Sequence, residues 1–140
     1  MDKSKPILVT GATGYIASWI IERLLNQGYS VHATVRDPSK KNKIQHLYDL
    51  ADKSSGQIQF FKADLLESGS FDEAMQGCEI VIHTASPFVV TNYKDAVKDI
   101  IEPAVKGTEN VLDSVNRTES VKRVVLTSSI ASTYGDAVEI

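Results

Sequence analysis

Residues 7–28, ILVTGATGYIASWIIERLLNQG, constrain this chain more than any other stretch. Ile7-Leu8-Val9-Thr10 is apolar with no polar alternation, the pattern of a strand buried on both faces. Gly11 to Gly14 break the run, and apolar residues then recur at helical spacing: Ile16, Ile20, Ile21, Leu24 and Leu25. Gly28 closes that helix in the manner of a C-terminal cap. A strand covered on both faces needs neighbouring strands beside it and helices above and below it.

The rest of the chain supplies them. Val31, Ala33 and Val35 predict a second strand, and Asp37-Pro38-Ser39 starts a second helix that carries Ile44, Leu47 and Leu50. Ile58-Gln59-Phe60-Phe61 predicts a third strand that runs into Lys62-Ala63-Asp64-Leu65. A short helix around Phe71 to Met75 leads through Gly77 to a fourth strand, Ile80-Val81-Ile82-His83. A loop through Pro87 precedes a helical region from about Tyr93 to Val115, in which Pro103 and Gly107 predict a kink. Lys122 to Thr127 is the fifth strand. Five strands alternating with helices read as βαβ units, hence a parallel sheet with right-handed crossovers. Flavodoxin-like receiver and hydrolase domains share this alternation, and only the loops distinguish among them.

At 140 residues the chain is one domain, with 42% hydrophobic and 24% charged residues, an ordinary globular composition. A net charge of −3 gives no electrostatic reason to expect nucleic acid or an anionic membrane as partner. The single cysteine, Cys78, excludes an internal disulfide and makes a cytoplasmic location the expectation. His32, His46 and His83 are scattered singly without zinc spacing, so no metal site is expected. No segment has the length of a membrane span, and MDKSKP at the N-terminus lacks the apolar stretch of a signal peptide.

Thr10-Gly11-Ala12-Thr13-Gly14-Tyr15-Ile16-Ala17 sits between the first strand and the first helix. A pyrophosphate needs backbone N–H groups at close range, so side chains must be absent where it approaches. Gly11 permits the tight turn, Gly14 opens the helix N-terminus, and the helix dipole favours an anion. Ala17 stands where such a fingerprint usually has a third glycine. The flanking strand and helix turn this weak pattern into an expectation of dinucleotide binding. The second strand ends at Val35-Arg36-Asp37, which in this architecture meets the adenosine ribose. An acidic side chain there suits the free hydroxyls of NAD, and a basic one suits the 2′-phosphate of NADP. Both are present. Arg36 comes first and Lys40, Lys41 and Lys43 begin the next helix, whereas Asp37 before Pro38 also reads as a cap or turn residue, so NADP leads.

With the glycine turn, Ala33-Thr34-Val35-Arg36-Asp37-Pro38, Lys62-Ala63-Asp64-Leu65, Gly69 to Ala74, Gly77-Cys78, His83 to Pro87 and Leu126-Thr127-Ser128-Ser129 in place, the sequence resembles the extended short-chain dehydrogenase/reductases. It is most similar to the branch of dihydroflavonol reductase, cinnamoyl-CoA reductase and yeast-type carbonyl (methylglyoxal) reductases, from about Ile7 to Tyr134. The resemblance implies a Rossmann-type doubly wound parallel sheet in three α/β/α layers, ending after about the fifth strand. It implies that Gly11, Thr13, Gly14, Tyr15 and Ile16 form the phosphate loop, and that Arg36 and Lys43 hold the 2′-phosphate of NADP(H). Asp64 would accept from the exocyclic amine of adenine, with Leu65 packed nearby. Thr84, Ala85 and Ser86 would pass the pyrophosphate and nicotinamide ribose. His83, at the end of a buried strand, reads as structural.

In that family a serine at the end of the fifth strand bonds the carbonyl oxygen of the substrate, a tyrosine donates the proton, and a lysine four residues later lowers the tyrosine's pKa. Ser129 matches the serine, while Thr127 and Ser128 match residues that line the ribose or satisfy local backbone. Tyr134 does not match the tyrosine, because position 138 is Val138 and no lysine follows. Residues 1–140 are therefore expected to be the NAD(P)-binding domain without the Tyr-x-x-x-Lys region or substrate lobe, inactive alone and open to self-association through the incomplete edge. A non-catalytic redox-sensing module and a fragment of a nucleotide-sugar epimerase or dehydratase are the competing readings. The Ser128-Ser129 strand end speaks against the first, and Arg36-Asp37-Pro38 with Ser86-Pro87 against the second.

Overall fold

The computed structural model describes residues 2–87 and 94–130. Five strands, β1 (Ile7–Thr10), β2 (Ser30–Val35), β3 (Gln57–Lys62), β4 (Ile80–His83) and β5 (Arg123–Leu126), form one parallel sheet in the order β3-β2-β1-β4-β5. Helices α1 (Tyr15–Asn26), α2 (Lys41–Asp52), the single-turn α3 (Asp72–Met75) and α4 (Glu102–Arg117) connect them. All four residues of the central strand β1 are buried, which is why its sequence lacks alternation.

Strand geometry divides the core in two. Val9, Val31, Ala33 and Val35 face one side, where they pack with Ala17, Ile21 and Leu25 of α1 and Ile44 and Leu47 of α2. Leu8, Phe61 and Val81 face the other, against Ala74 and Met75 of α3 and Val111 of α4. The result is the doubly wound, three-layer Rossmann architecture. Its strand order contains one reversal: β1, β2 and β3 step outward in one direction, and the chain then crosses back to lay β4 on the opposite side of β1. The loops after β1 and β4 consequently diverge, and a crevice opens at the carboxyl edge between them.

Gly28 terminates α1 as expected. Its φ is +79°, its N–H donates to the Leu25 carbonyl at 2.9 Å, and the Tyr29 N–H donates to the Leu24 carbonyl at 3.1 Å, the paired bonds of a left-handed helix cap.

Helix α2 begins at Lys41, later than Asp37-Pro38-Ser39 predicts. The reason is local: Asp37 Oδ1 accepts from the Ser39 N–H at 3.0 Å and the Ser39 hydroxyl at 2.6 Å, so these residues close a side-chain turn of their own before the helix starts. The expected kink also takes a different form. A π-helical turn, Val97–Ile101, runs directly into α4 with helical backbone at the junction, and Pro103 is the second residue of α4. Gly107 lies within the regular helix. Tyr93, the expected start of this region, lies outside the described residues. No described helix is long and apolar enough to cross a membrane.

Gly56, between α2 and β3, is the tightest point of the layer junction. A Cβ there would lie 2.5 Å from the Tyr29 carbonyl oxygen, 2.7 Å from Leu25 Cα and 2.8 Å from the Leu25 carbonyl oxygen. All three are backbone atoms that cannot rotate away. Gly56→Ala is expected to destabilise the fold by about 2–3 kcal/mol, the upper part of the range for overpacking. A urea unfolding midpoint equal to that of the parent would contradict this packing.

Candidate nucleotide site

The carboxyl edges of β1, β2, β3 and β4 surround one cleft of about 510 Å³. Its floor is the turn after β1. Gly11 has φ +67°, a conformation that strains any side chain, and a Cβ on it would stand 3.0 Å from Ala85 Cα and 3.1 Å from Ala85 Cβ. The glycine therefore serves two ends: it makes the turn and lets the loop after β4 approach. The Gly14 N–H closes the turn onto the Gly11 carbonyl at 2.9 Å, and Ala12 is tied to β2 through its N–H and the Thr34 carbonyl at 3.0 Å.

Gly14 then caps α1 in an extended conformation, φ −75° and ψ 154°, with no capping side chain and no acidic residue in the first turn. The first-turn amides have no intrahelical partner, and the first turn carries no acidic side chain to neutralise the positive end of the helix dipole. That is the condition for anion binding, so these residues fit a nucleotide diphosphate.

A buried hydroxyl ties the floor together. Thr10 Oγ1 accepts the N–H of Thr84 and the N–H of Ala85, each at 3.1 Å, and lies 2.7 Å from His83 Nδ1. A hydroxyl has two acceptor lone pairs and one proton. With both lone pairs taken by the amides, the proton goes to Nδ1, and His83 is the neutral tautomer protonated at Nε2. Burial lowers the His83 pKa below its ordinary value of 6.5, in the same direction as the network requires. The Thr84 hydroxyl completes the junction by donating to the Thr10 carbonyl at 2.6 Å.

Arg36 and Asp64 stand on the β2 and β3 side of the cleft, and Thr84, Ala85 and Ser86 on the β4 side. Of the other residues singled out from the sequence, Gly11, Thr13, Gly14 and Leu65 also line it. Tyr15 and Ile16 lie on the first turn of α1 with side chains 81% and 56% exposed, and Lys43 is exposed on the first turn of α2. Thr127 follows β5, its N–H donating to the His83 carbonyl at 3.0 Å, and Ser129 is exposed two residues on. Neither belongs to the cleft wall. Tyr134 lies outside the described residues.

Sequence reasoning passed over Thr10, Thr34 and Phe71 as parts of this site. A polar residue ending an otherwise apolar buried strand, as Thr10 does, is the signal that could have found the first. Another pairing looks reactive and is not. Cys78 Sγ lies 3.4 Å from His32 Nδ1, but that nitrogen is 2.7 Å from the Ala74 carbonyl, which can only accept. Nδ1 therefore holds a proton and cannot serve the thiol as a base. Burial pushes the Cys78 thiol up to about 12, which removes the thiolate at neutral pH.

These features define a dinucleotide-type crevice on a Rossmann fold, and comparison with known proteins narrows the class. The sequence pattern of the NAD dependent epimerase/dehydratase family matches residues 7–140, and the chain belongs to that family. Within it the chain is 55% identical over 126 residues to a cinnamoyl-CoA reductase of Medicago truncatula, covering 90% of this chain and 38% of the relative. It is 45% identical over 127 residues to a dihydroflavonol 4-reductase of Solanum lycopersicum, covering 91% and 33%. The structure of Gre2 from Candida albicans in complex with NADPH superposes with a TM-score of 0.76 at 33% identity, covering 94% of this chain and 40% of Gre2. The branch expected from the motifs is thus the one in which the relatives are found. The chain spans about a third to two-fifths of the length of these proteins.

The neutral His83 makes the fold sensitive to acid. Because its pKa is lowered on folding, its contribution is fully present above pH 6.5, where the unfolded chain is also neutral. As pH falls below that value the unfolded chain takes up the proton first, and stability declines until the folded-state pKa is passed. The expected loss approaches about 1.4 kcal/mol per pH unit within that window. Urea midpoints between pH 7.5 and 5 for the parent and for His83→Gln would check it: the extra loss should vanish in the variant.

Proposed function

We propose that this chain is the NADP(H)-binding portion of a carbonyl reductase of the dihydroflavonol-reductase type, which transfers hydride from NADPH to a ketone or aldehyde, and that it works in the cytoplasm. The observation that carries this reading is the convergence on one cleft of Gly11, the uncapped first turn of α1 and Arg36.

On this reading the diphosphate lies across Gly11, Thr13 and Gly14, with the amides of Tyr15 and Ile16 directed at it. The adenine sits against Leu65 with its amine donating to Asp64. Arg36, assisted by Lys43, neutralises the 2′-phosphate. The state of Asp37 supports the choice of NADP. Its carboxylate is engaged by Ser39 through two hydrogen bonds and sits 3.6 Å from Lys40, and the Ser39 bonds, first of all, hold its pKa below the usual carboxylate value. The acidic side chain that would otherwise select unphosphorylated ribose is thus turned into its own loop, while Arg36 makes no ion pair among the described residues.

The reduced nicotinamide, when bound, supplies the hydride. As negative charge grows on the substrate oxygen, a hydroxyl aimed at it lowers the barrier, and Ser129 is assigned that role. Thr127 and Thr84, with Ala85 and Ser86, border the nicotinamide ribose. None of the tyrosines at positions 15, 29, 48, 93 and 134 is followed four residues later by lysine, so on this reading the family's proton-donating pair is not among these 140 residues.

Two outcomes test this. Arg36→Ser should weaken NADPH about 10- to 100-fold, the worth of a charge-assisted hydrogen bond, and leave NADH within about twofold. Fluorescence titration reads both, and a parent that binds NADH more tightly than NADPH would refute the assignment. In addition, the 140-residue chain should not oxidise NADPH with a simple aldehyde or diketone; turnover that Ser129→Ala abolishes would contradict the assigned lack of a proton donor.

A further inference from the structure

The residues that border the cleft are supported by one that does not. Asn110, on the inner face of α4, is 8% exposed, and its amide is committed to a single loop, the one between β3 and α3. Its Oδ1 accepts the Gly69 N–H at 3.0 Å. Its Nδ2 donates to the carbonyls of Glu67 at 2.7 Å, Leu65 at 3.1 Å and Asp64 at 3.4 Å. One turn earlier, Gly107 leaves a notch for Leu65: a Cβ at 107 would be 2.9 Å from Leu65 Cβ.

Asp64 is held from the other side by Ser70, whose hydroxyl donates to the Asp64 carbonyl at 2.7 Å and accepts the Asp64 N–H at 3.1 Å. The Asp64 carboxylate is oriented as well, since Oδ1 accepts the Leu66 N–H at 2.9 Å. Oδ2 has no protein partner among the described residues. A loop that presents one oxygen of a carboxylate in a set direction is thus wrapped around a side chain of another element.

We infer that Asn110 is a positioning residue for the base of the nucleotide: it holds Asp64 so that the carboxylate meets an exocyclic amine, and it thereby makes the site prefer adenine over a 6-oxo base. This rests on the reading above that Asp64 and Leu65 flank the adenine. The physical reason is convergence. Three carbonyls point at one amide nitrogen; without that donor they repel one another, and although the Asp64 carbonyl keeps the Ser70 hydroxyl and the Glu67 N–H, those of Leu65 and Glu67 lose the Asn110 bond. A shift of the loop relieves that repulsion, and Asp64 and Leu65 form the end of it that borders the cleft.

The test compares NADP⁺ with its hypoxanthine analogue, in which a carbonyl replaces the 6-amino group, by calorimetry on the purified protein and its variants. The parent is expected to favour NADP⁺ by about tenfold or more, because the analogue sets a carbonyl against the carboxylate. Asn110→Asp keeps the shape and the acceptor for Gly69 but turns an oxygen toward the three carbonyls. Its preference is expected to fall to twofold or less, with NADP⁺ losing more affinity than the analogue. A general scaffolding role would lower the melting temperature without changing this ratio, so a folded variant that keeps the tenfold preference overturns the inference and leaves the proposed function standing. A parent that binds neither nucleotide overturns the proposed function itself. Should Asn110→Asp fail to fold, Gly107→Ala decides by the same ratio: its methyl displaces Leu65, a fall of threefold or more supports the inference, and an unchanged ratio overturns it.

Discussion

The hydroxyl of Thr10 is the point on which the site depends. It is 0% exposed, at the last residue of the central strand, and it receives the two backbone amides that begin the loop after β4. Those amides leave the sheet where the strand order reverses, and no strand among the described residues pairs with them. Left unpaired at that depth, each would cost about 1–3 kcal/mol. The crevice that a reversal creates is therefore a liability in hydrogen bonds before it is a binding site, and Thr10 with His83 settles that liability. The same contact draws Ala85 against Gly11, so the requirement for glycine at position 11 arises from the neighbouring strand as much as from the turn.

A similar logic holds at the other end of the cleft. The loop after β3 must leave the sheet, carry Asp64 and Leu65, and return to α3, with no strand beside it among the described residues to accept from its amides or donate to its carbonyls. Asn110 and Ser70 do this from two sides. The two ends differ in kind: the floor near β1 is fixed within the sheet by backbone and one hydroxyl, whereas the β3 end is fixed by a helix that arrives about forty-five residues later in the chain.

The fold was legible because its signals are local. The apolar run of β1, the glycine break and the helical spacing of α1 each need only a dozen residues, and the alternation that follows admits few topologies. Element ends were less legible where side chains compete with the backbone. Asp37-Pro38-Ser39 has the composition of a helix start, yet the Ser39 amide and hydroxyl both find Asp37 first, and the helix waits until Lys41. Pro103 was rightly a point of irregularity, but the distortion lies in the π-helical turn before it. Gly107 misled for a different reason: a glycine in a helix looks like a flexible point, and here it is a notch whose purpose is visible only when Leu65 is seen against it. The cleft residues were readable as a motif, because Gly11, Gly14, Arg36 and Asp64 each follow a strand end. Thr10 and Asn110 were not, since their partners lie 73 to 75 and 41 to 46 residues away, and no local spacing encodes a contact at that distance.

The arrangement also separates affinity from chemistry within the fold. Recognition of the diphosphate by backbone amides, of the base by Asp64, and of the 2′-phosphate by Arg36, in the proposed function, draws on β1, β2 and β3 and on loops fixed by α4. The one residue assigned to the reacting carbonyl, Ser129, stands beyond β5 on the opposite flank, and the strand that carries it has exposed Val125 and Leu126 side chains, 47% and 50%. Strand β5 pairs with β4 along four residues and is joined to it once more at Thr127, so its position relative to the floor is set by the same His83 whose ring is bonded to Thr10. A proton taken up at His83 Nδ1 would remove the acceptor of the Thr10 hydroxyl and so act on the loop against Gly11, whose Thr84 and Ala85 amides that hydroxyl receives. Backbone pairing of β1 with β4 and of β4 with β5 thus joins the two flanks, and the bond between His83 and Thr10 lies at their shared carboxyl edge.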